Sequence, residues 1–198
     1  MMPIITISRE VGSNGKKIGE MVADALNLPL IDKYFISEVA RKTGLDPIQV
    51  EKKGEYFSQM DLFLNAKFYN GLYIGDDQSD MYNAQRKIIL EEVKKGPCVI
   101  IGRCADAILA EEGIPSLNVF IHADMPYRVK NYLERFPDHK ETIEKLMKKK
   151  DKGRKAYYKF YTERDWGDAA NYDLALDSSK LGVDLCAELI VKAAKERA

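Results

Sequence analysis

A glycine-rich turn follows a short apolar segment near the start of the chain, in the stretch ITISREVGSNGKKIG. Its glycines let the backbone direct N–H groups inward, and a helix that begins near Lys16 would place the positive end of its dipole beside them. Lys16 follows Gly15 as lysine follows glycine in the phosphate-binding pattern G-x-x-x-x-G-K-[ST]. We therefore expect this turn to bind the phosphates of a nucleotide through Gly12, Ser13, Asn14, Gly15, Lys16 and Lys17.

The same turn departs from that pattern at two positions. Glu10 stands where the first glycine belongs, and Lys17 stands where a serine or threonine hydroxyl would bind magnesium. An ordinary strand-to-helix turn is therefore an alternative interpretation. Its place after the first apolar run favours phosphate binding, because ligands of open α/β sheets bind beyond the carboxyl ends of the strands.

Polar residues at other strand ends are candidates for the same site. Arg103 follows the apolar run VIIG, where its guanidinium group could bind a phosphate with two hydrogen bonds, or could pair with a surface carboxylate. Asp32 could orient a substrate hydroxyl, or could cap the following helix. Gln85 falls on a mostly apolar helix face, so its amide needs a partner in a base edge or in the backbone. Arg9 ends the first run, and we expect it to contact the substrate.

A second group of cations lies near the end of the chain. Lys150 and Arg154 have helical spacing, and Arg164 follows in the stretch YTERDWGD. We expect Arg154 or Arg164 to stabilise the charge on a transferring phosphoryl group, on a segment that closes over the site and excludes water. Residues 145–155 could instead be a solvated helix face. The nearby tyrosines and Trp166 are typical of packing more than of base stacking.

Five short apolar runs must position these residues. They cover residues 4–7, 28–31, 98–101, 117–121 and 172–176, and most are unbroken, as in strands buried on both faces of a parallel sheet. Helical patterns lie between them, which predicts βαβ units and a doubly wound α/β sheet. Residues 43–80 and 137–171 are too long for simple crossovers. We interpret them as a helical insertion and a second insertion of one domain that spans residues 1–198.

Two of the helices have recognisable ends. Asp124 is positioned to cap a helix whose first turn contains Pro126, and Ser79 is a candidate cap for a helix that stops at Gly96 and Pro97.

Composition excludes several classes of protein. The chain has 31 Lys and Arg against 31 Asp and Glu, which gives no electrostatic case for binding nucleic acid. The three cysteines show no metal-ligand or disulfide spacing, and we expect buried thiols at Cys98 and Cys104. The two histidines lack metal-ligand spacing, and His122 is expected in a structural role. No apolar run is long enough for a signal peptide or a membrane span, so we predict a cytoplasmic protein that binds no membrane.

Four stretches together resemble the cytidylate kinase-like family, a branch of the P-loop nucleoside monophosphate kinases. They are TISREVGSNGKKIGEMVADAL, GPCVIIGRCADAIL, VFIHAD and DWGDAANYDLALDSSKLGVDL, in order along nearly the whole chain. The resemblance implies a P-loop three-layer fold with a five-stranded parallel sheet of order 2-3-1-4-5. It also implies a monophosphate-binding insertion after strand two, within residues 43–80, and a lid before strand five, within residues 137–171.

The resemblance also assigns residues and ligands. It implies ATP and Mg²⁺ as cofactors, a phosphate loop at residues 12–17, and Asp32 at the start of the monophosphate-binding region. Arg103 matches the arginine of a GRD motif whose aspartate is Cys104 here, and Arg154 falls in the lid.

The function that follows is an ATP-dependent phosphotransferase acting on a nucleoside monophosphate or another small phosphorylated acceptor. The catalytic residues would be Lys16, Arg103, Arg154 and Arg164, and the acceptor would bind Arg9, Asp32, Gln85 and Arg103. A nucleotide-binding regulatory protein without catalysis and a kinase of a non-nucleotide metabolite are the alternatives. The metal ligands and the oligomeric state stay open.

Overall fold

The computed structural model describes residues 2–32, 76–137 and 143–198, with the backbone alone at 76–81. The strands are β1 (Ile4–Arg9), β2 (Leu30–Ile31), β3 (Val99–Ile101), β4 (Ser116–His122) and β5 (Leu174–Asp177). The helices of the described ranges are α1 (Gly15–Leu26), α2 (Asp76–Val93), α3 (Ala105–Glu111), α4 (Met125–Arg135), α5 (Ile143–Thr162) and α6 (Ser178–Glu196). A 3₁₀ turn at Ala169–Asn171 precedes β5.

The five strands form one parallel sheet of order β2-β3-β1-β4-β5. Central strand β1 pairs with both neighbours, so that Ile5 lies beside Val99 on one side and Leu117 on the other. Ile5 and Ile7 are fully buried, because helices cover both faces of the sheet. The predicted α/β class and strand order are confirmed.

The two faces of the sheet build two apolar layers. On one face, Ile5 and Ile7 pack with Ile18 and Val22 of α1 and with Ile190 of α6. Residues that alternate with these along the strands point to the other face. There, Ile4, Ile100 and Phe120 of the strands pack with Ile89 of α2, Ile108 of α3 and Tyr158 of α5. Apolar packing therefore stabilises the sheet on both faces.

Aromatic side chains join the end of α5 to the sheet. Trp166 is 9% exposed and meets the ring of Phe120 edge to face, with 5.1 Å between ring centroids. Tyr157 and Tyr158 are also buried, and Tyr161 stacks on Tyr82 at 4.1 Å. The structure thus uses these rings for packing, as expected from the sequence.

The strand ends lie within two residues of the predicted ones. Asp124 accepts a hydrogen bond from the Tyr127 N–H as the cap of α4, with Pro126 in the first turn. The prediction for α2 was wrong at both ends. That helix begins at Asp76, which places Ser79 inside it, and it ends at Val93, before Gly96 and Pro97.

Other sequence predictions have mixed outcomes. The three cysteines are free and buried, as predicted for Cys98 and Cys104. His122 ends β4, and its carbonyl accepts a bond from the Ser178 hydroxyl. His139 and nearly all of the insertion at 43–80 lie outside the described residues, and the boundaries of the two insertions stay predictions. Within the described ranges, no helix has the length and apolar character to cross a membrane.

Candidate functional site

The phosphate loop, residues 12–17, is an open bend between β1 and α1. Gly12 has φ 81° and Asn14 has φ 59°, so two left-handed residues turn the backbone before α1 begins at Gly15. The buried Ser13 hydroxyl donates to the carbonyls of Glu10 and Ile121, at 3.0 and 3.1 Å. This bond ties the loop to β4. The N–H groups of the first turn of α1 are then available for an anion, as at other helix N-termini.

Glu10 does not plug the bend. Its carboxylate accepts a bond from the Ala123 N–H at 3.2 Å and lies 3.2 Å from the Arg128 guanidinium group. The side chain that replaces the first glycine of the phosphate-binding pattern is thereby held toward the start of α4. The departure at position 10 is accommodated without loss of the open bend.

The loop faces a cleft of about 1200 Å³. Most of the side chains and glycines that the sequence put forward for binding line this cleft together, although they lie far apart in the chain: Arg9, Gly12, Asn14, Gly15, Lys16, Lys17, Asp32, Arg103 and Arg154. Because they come from β1, α1, the end of β2, the end of β3 and α5, the sheet topology is what assembles them. The cleft is the candidate active site.

Lys16 is paired with an acid in the described structure. Its Nζ lies 2.8 Å from Asp32 Oδ2 and 3.5 Å from Glu20 Oε1. Burial lowers the pKa of Lys16, but the hydrogen bond and charge of Asp32 outweigh that effect and the net pKa is raised. The ammonium group is therefore charged and already turned toward the cleft.

Of the arginines that line the cleft, Arg9, Arg103 and Arg154 act electrostatically on one another. The half-buried Arg9 has its pKa lowered well below the usual value, first by burial and then by the charges of Arg154 and Arg103, against the opposing carboxylates of Asp32 and Asp151. Burial likewise lowers the pKa of Arg103, which is 2% exposed, to about 10. Guanidinium groups that repel one another at this range gain most from an added multivalent anion.

Gln85 lies beside Arg103 rather than on the cleft wall. It is completely buried, and its Oε1 accepts a bond from the Arg103 Nη1 at 3.4 Å. The alternative of a backbone partner, raised from sequence, is replaced by this side-chain contact. The described geometry makes Gln85 a support for Arg103, while its place in acceptor binding stays a prediction.

The structure does not bring Arg164 to the cleft. This arginine lies in the exposed turn after α5, where its charge acts on Asp106 rather than on the phosphate loop. Arg164 is not among the residues that line the cleft in the described structure, and its catalytic role stays a prediction. Arg154 does reach the cleft, where its Nη1 donates to the Arg9 carbonyl at 3.3 Å.

Three residues that hold the loop were missed from sequence. Arg128 Nε donates to the Val11 carbonyl at 2.7 Å, the Asp151 carboxylate accepts from the Val11 N–H at 3.0 Å, and Asn131 donates to the Gly12 carbonyl at 3.0 Å. All three lie on predicted helices where charged and polar residues look like solvated positions. The one available signal was the helical spacing that places Asp151 one turn before Arg154.

The fit to magnesium is incomplete. The Ser13 hydroxyl is bonded to backbone carbonyls, and Lys17 presents an exposed amine where the pattern has a hydroxyl. The described residues contain no group of three or more His, Cys, Asp or Glu placed to hold a metal ion. Asp32 is the cleft carboxylate bonded to Lys16. The loop thus lacks a hydroxyl ligand, and a magnesium ion here would depend on phosphate oxygens and water for most of its ligands.

The parallel sheet, the glycine-rich loop at the first βα junction and the cationic cleft define a kinase of the P-loop class. Residues 4–180 match the model of the cytidylate kinase-like family, and the chain belongs to that family.

Similar proteins agree with this assignment. A cytidylate kinase of Methanocaldococcus jannaschii is 28% identical over 183 residues, 91% of each chain. A cytidylate kinase of Natronomonas pharaonis is 25% identical over 91% of this chain and 83% of its own.

Two solved structures share the fold. A crystal structure of an uncharacterized protein from Eubacterium ventriosum has a TM-score of 0.74 at 29% identity, and the match covers 98% of this chain and 99% of that one. Shikimate kinase from Acinetobacter baumannii, solved with shikimate, has a TM-score of 0.53 at 12% identity over 100% of this chain and 95% of its own, which shows the fold alone.

Proposed function

We propose that the protein transfers the γ-phosphoryl group of ATP to a nucleoside monophosphate, with cytidylate as the first candidate. The observation that carries this proposal is the convergence of Lys16 with Arg9, Arg103 and Arg154 around one cleft beside the phosphate loop. The named relatives, which are cytidylate kinases, support the choice of acceptor.

The roles follow from position. The backbone of residues 12–15 and the Lys16 ammonium group bind the β- and γ-phosphates of ATP. Arg9 and Arg103 bind the acceptor phosphate, and Asp32 orients an acceptor hydroxyl. An acceptor phosphate oxygen attacks the γ-phosphorus, a new P–O bond forms, and the bond to the β,γ-bridging oxygen breaks as ADP leaves. Arg154 stabilises the charge on the transferring group, since such reactions rely on positioning and cations.

A second candidate is a nucleotide-binding regulatory protein without catalysis. The observation that favours it is the loop without a magnesium-binding hydroxyl, where Lys17 replaces serine or threonine. Such a protein would bind ATP in the same cleft but form no product. A kinase of a non-nucleotide metabolite would instead form product outside the nucleotide panel.

The deciding experiment is an acceptor panel with ATP and Mg²⁺. Nucleoside and deoxynucleoside monophosphates, with small non-nucleotide phosphates beside them, are tested for ADP release and for the phosphorylated product. We expect a cytidine nucleotide to be phosphorylated, and Lys16→Ala to lose about 10²-fold or more in rate. Lys192→Ala is the control, because this exposed lysine of α6 does not line the cleft, and it should retain the wild-type rate. Turnover with no member of the panel would contradict the proposal, and ATP binding without turnover would support the regulatory protein.

A further inference from the structure

Both backbone polar groups of Val11, the residue just before the phosphate loop, are held by buried side chains. The Val11 N–H donates to Asp151 Oδ1 at 3.0 Å, and the Val11 carbonyl accepts from Arg128 Nε at 2.7 Å. Arg128 Nη2 also bonds to Asp151 Oδ2, which closes a ring of contacts through the segment after β1, α4 and α5. We call this set of Val11, Arg128 and Asp151 the Val11 ring.

The ring extends toward the cleft in two directions. Arg128 Nη1 lies 3.2 Å from Glu10 Oε2, so the same guanidinium group keeps Glu10 away from the bend. Asp151 Oδ1, which accepts from Val11, also lies 3.5 Å from Arg154 Nη1. One carboxylate oxygen thereby links the entry of the phosphate loop to the arginine that α5 supplies.

Neither charged member of the ring lines the cleft, and both are shielded from water. Arg128 is 5% exposed and Asp151 is 7% exposed. A buried ion pair is costly to form and more costly to break on one side, since the remaining charge is then left in an apolar environment. Each partner is also satisfied by backbone groups of Val11, so the pair has one favourable arrangement. The loop and α5 are thus held in one geometry.

We propose that Arg128 and Asp151 are positioning residues that make polyphosphate binding by the loop depend on α5 being docked against it. The inference rests on the proposed function for its consequence in catalysis. With the ring intact, Val11 keeps residues 12–16 bent for an anion and Arg154 stays in the cleft. With the ring broken, the loop amides and Arg154 are no longer held in fixed positions relative to each other. The affinity for the donor and the rate of transfer then both fall.

The test measures binding of inorganic tripolyphosphate to the full chain by calorimetry, which requires no turnover. Asp151→Asn keeps the shape of the side chain but removes the charge that pairs with Arg128, and Arg128→Lys keeps a charge but removes the forked donors. Asp106→Asn is the matched control. Asp106 is also a buried carboxylate that holds α5, through the Tyr158 hydroxyl at 2.6 Å, but it does not contact the loop.

We expect Asp151→Asn and Arg128→Lys each to weaken tripolyphosphate binding about tenfold or more, because small displacements of a positioned site are costly. Asp106→Asn should bind as the wild type does, even where its melting temperature changes. In the kinase assay the KM for ATP should rise and kcat should fall in both ring variants, with the acceptor KM unchanged.

The inference is overturned where both ring variants bind tripolyphosphate as the wild type does, or where Asp106→Asn loses as much affinity as they do. Should Asp151→Asn fail to fold, Arg128→Lys decides. Wild-type protein that binds tripolyphosphate but phosphorylates no acceptor would overturn the proposed function and leave the role of the ring standing. Wild-type protein that does not bind it would overturn both.

Discussion

Lys16 Nζ lies 2.8 Å from Asp32 Oδ2, so the lysine of the phosphate loop is bonded to the carboxylate at the end of β2. In the proposed function these two residues belong to different substrates, because Lys16 binds the donor and Asp32 the acceptor. A polyphosphate that takes the Lys16 ammonium group releases Asp32 from its partner. Binding of the donor is thus coupled to preparation of the acceptor site.

The first prediction concerns this pair. Asp32→Asn should tighten ATP binding about two- to fivefold, because the donor no longer competes with a carboxylate in a partly exposed pair worth about 0.5–1 kcal/mol. Turnover of the acceptor should fall in the same variant. Calorimetry with ATP measures the first effect and steady-state kinetics the second. Glu20→Gln, which removes the more exposed partner of Lys16 at 3.5 Å, should change ATP affinity less. Weaker ATP binding by Asp32→Asn would contradict the coupling.

The second prediction distinguishes Arg154 from Arg164, which the sequence analysis offered as candidates for the same role. Arg154→Ala should reduce kcat about 10²-fold, because its guanidinium group lies in the cleft. Arg164→Ala should leave kcat within about twofold of the wild type, since surface substitutions of this kind have small effects. Arg164 is therefore the matched control for loss of a positive charge. An equal loss in both variants would mean that the turn after α5 reaches the cleft during the reaction.

The third prediction concerns the backbone of the loop. Gly12 has φ +81°, and the Cβ that Gly12→Ala adds would lie 2.6 Å from the Arg128 carbonyl oxygen. Gly113→Ala is the control, because Gly113 has φ +66° but nothing within 4 Å of the new Cβ. The control should lower the free energy of unfolding by about 1–2 kcal/mol from the left-handed φ. Gly12→Ala should lose at least about 1 kcal/mol more from the clash, and should bind ATP more weakly. Chemical denaturation measures the loss of unfolding free energy in each variant. Equal losses in Gly12→Ala and Gly113→Ala would exclude the clash.

The fourth prediction is a pH dependence of stability. Burial raises the pKa of the Asp106 carboxyl above 3.8, although the Tyr158 hydroxyl and backbone N–H groups oppose the shift. Between the unfolded and folded pKa values the native state binds more protons, so this group lowers stability as the pH rises. Asp106→Asn removes that effect.

The free energy of unfolding of Asp106→Asn, relative to the wild type, should therefore increase as the pH rises from about 4 toward neutrality. Denaturation at several pH values gives this difference. Asp24→Asn, at an exposed position of α1, is the control and should show a smaller change. A difference that stays constant with pH would show that the Asp106 carboxyl titrates normally.

The fold could be predicted from sequence because its strands are buried on both faces. Runs such as Val99–Ile101 are unbroken and apolar, and every residue of that strand is buried. The ends of the strands could be predicted less closely than their centres. β1 continues through Ser8 and Arg9, beyond the predicted residue 7, because both pair with residues of β4. That pairing depends on a strand more than a hundred residues away, which local pattern cannot report.

Residues that the sheet topology brings to the cleft could be expected from sequence, whereas residues that helix packing brings to the loop could not. Asp32 and Arg103 follow the ends of β2 and β3, and Lys16 lies in the first turn of the helix after β1, so the carboxyl edge of the sheet brings them together. Arg128 and Asp151 are charged residues on amphipathic helices, where the ordinary expectation is exposure. Their burial depends on how α4 and α5 pack against Val11. The exposed place of Arg164 after α5 could not be predicted from sequence for the same reason, and its catalytic role stays a prediction.

The edge-to-face contact of Trp166 with Phe120 gives the protein its own optical reporter. Trp166 is the one tryptophan among the 198 residues, and it lies four residues beyond the end of α5. An indole in this apolar setting emits at short wavelength, and exposure to solvent shifts the emission to the red. Stopped-flow fluorescence of the unlabelled wild type can thus report whether the surroundings of Trp166 change when nucleotides are mixed in.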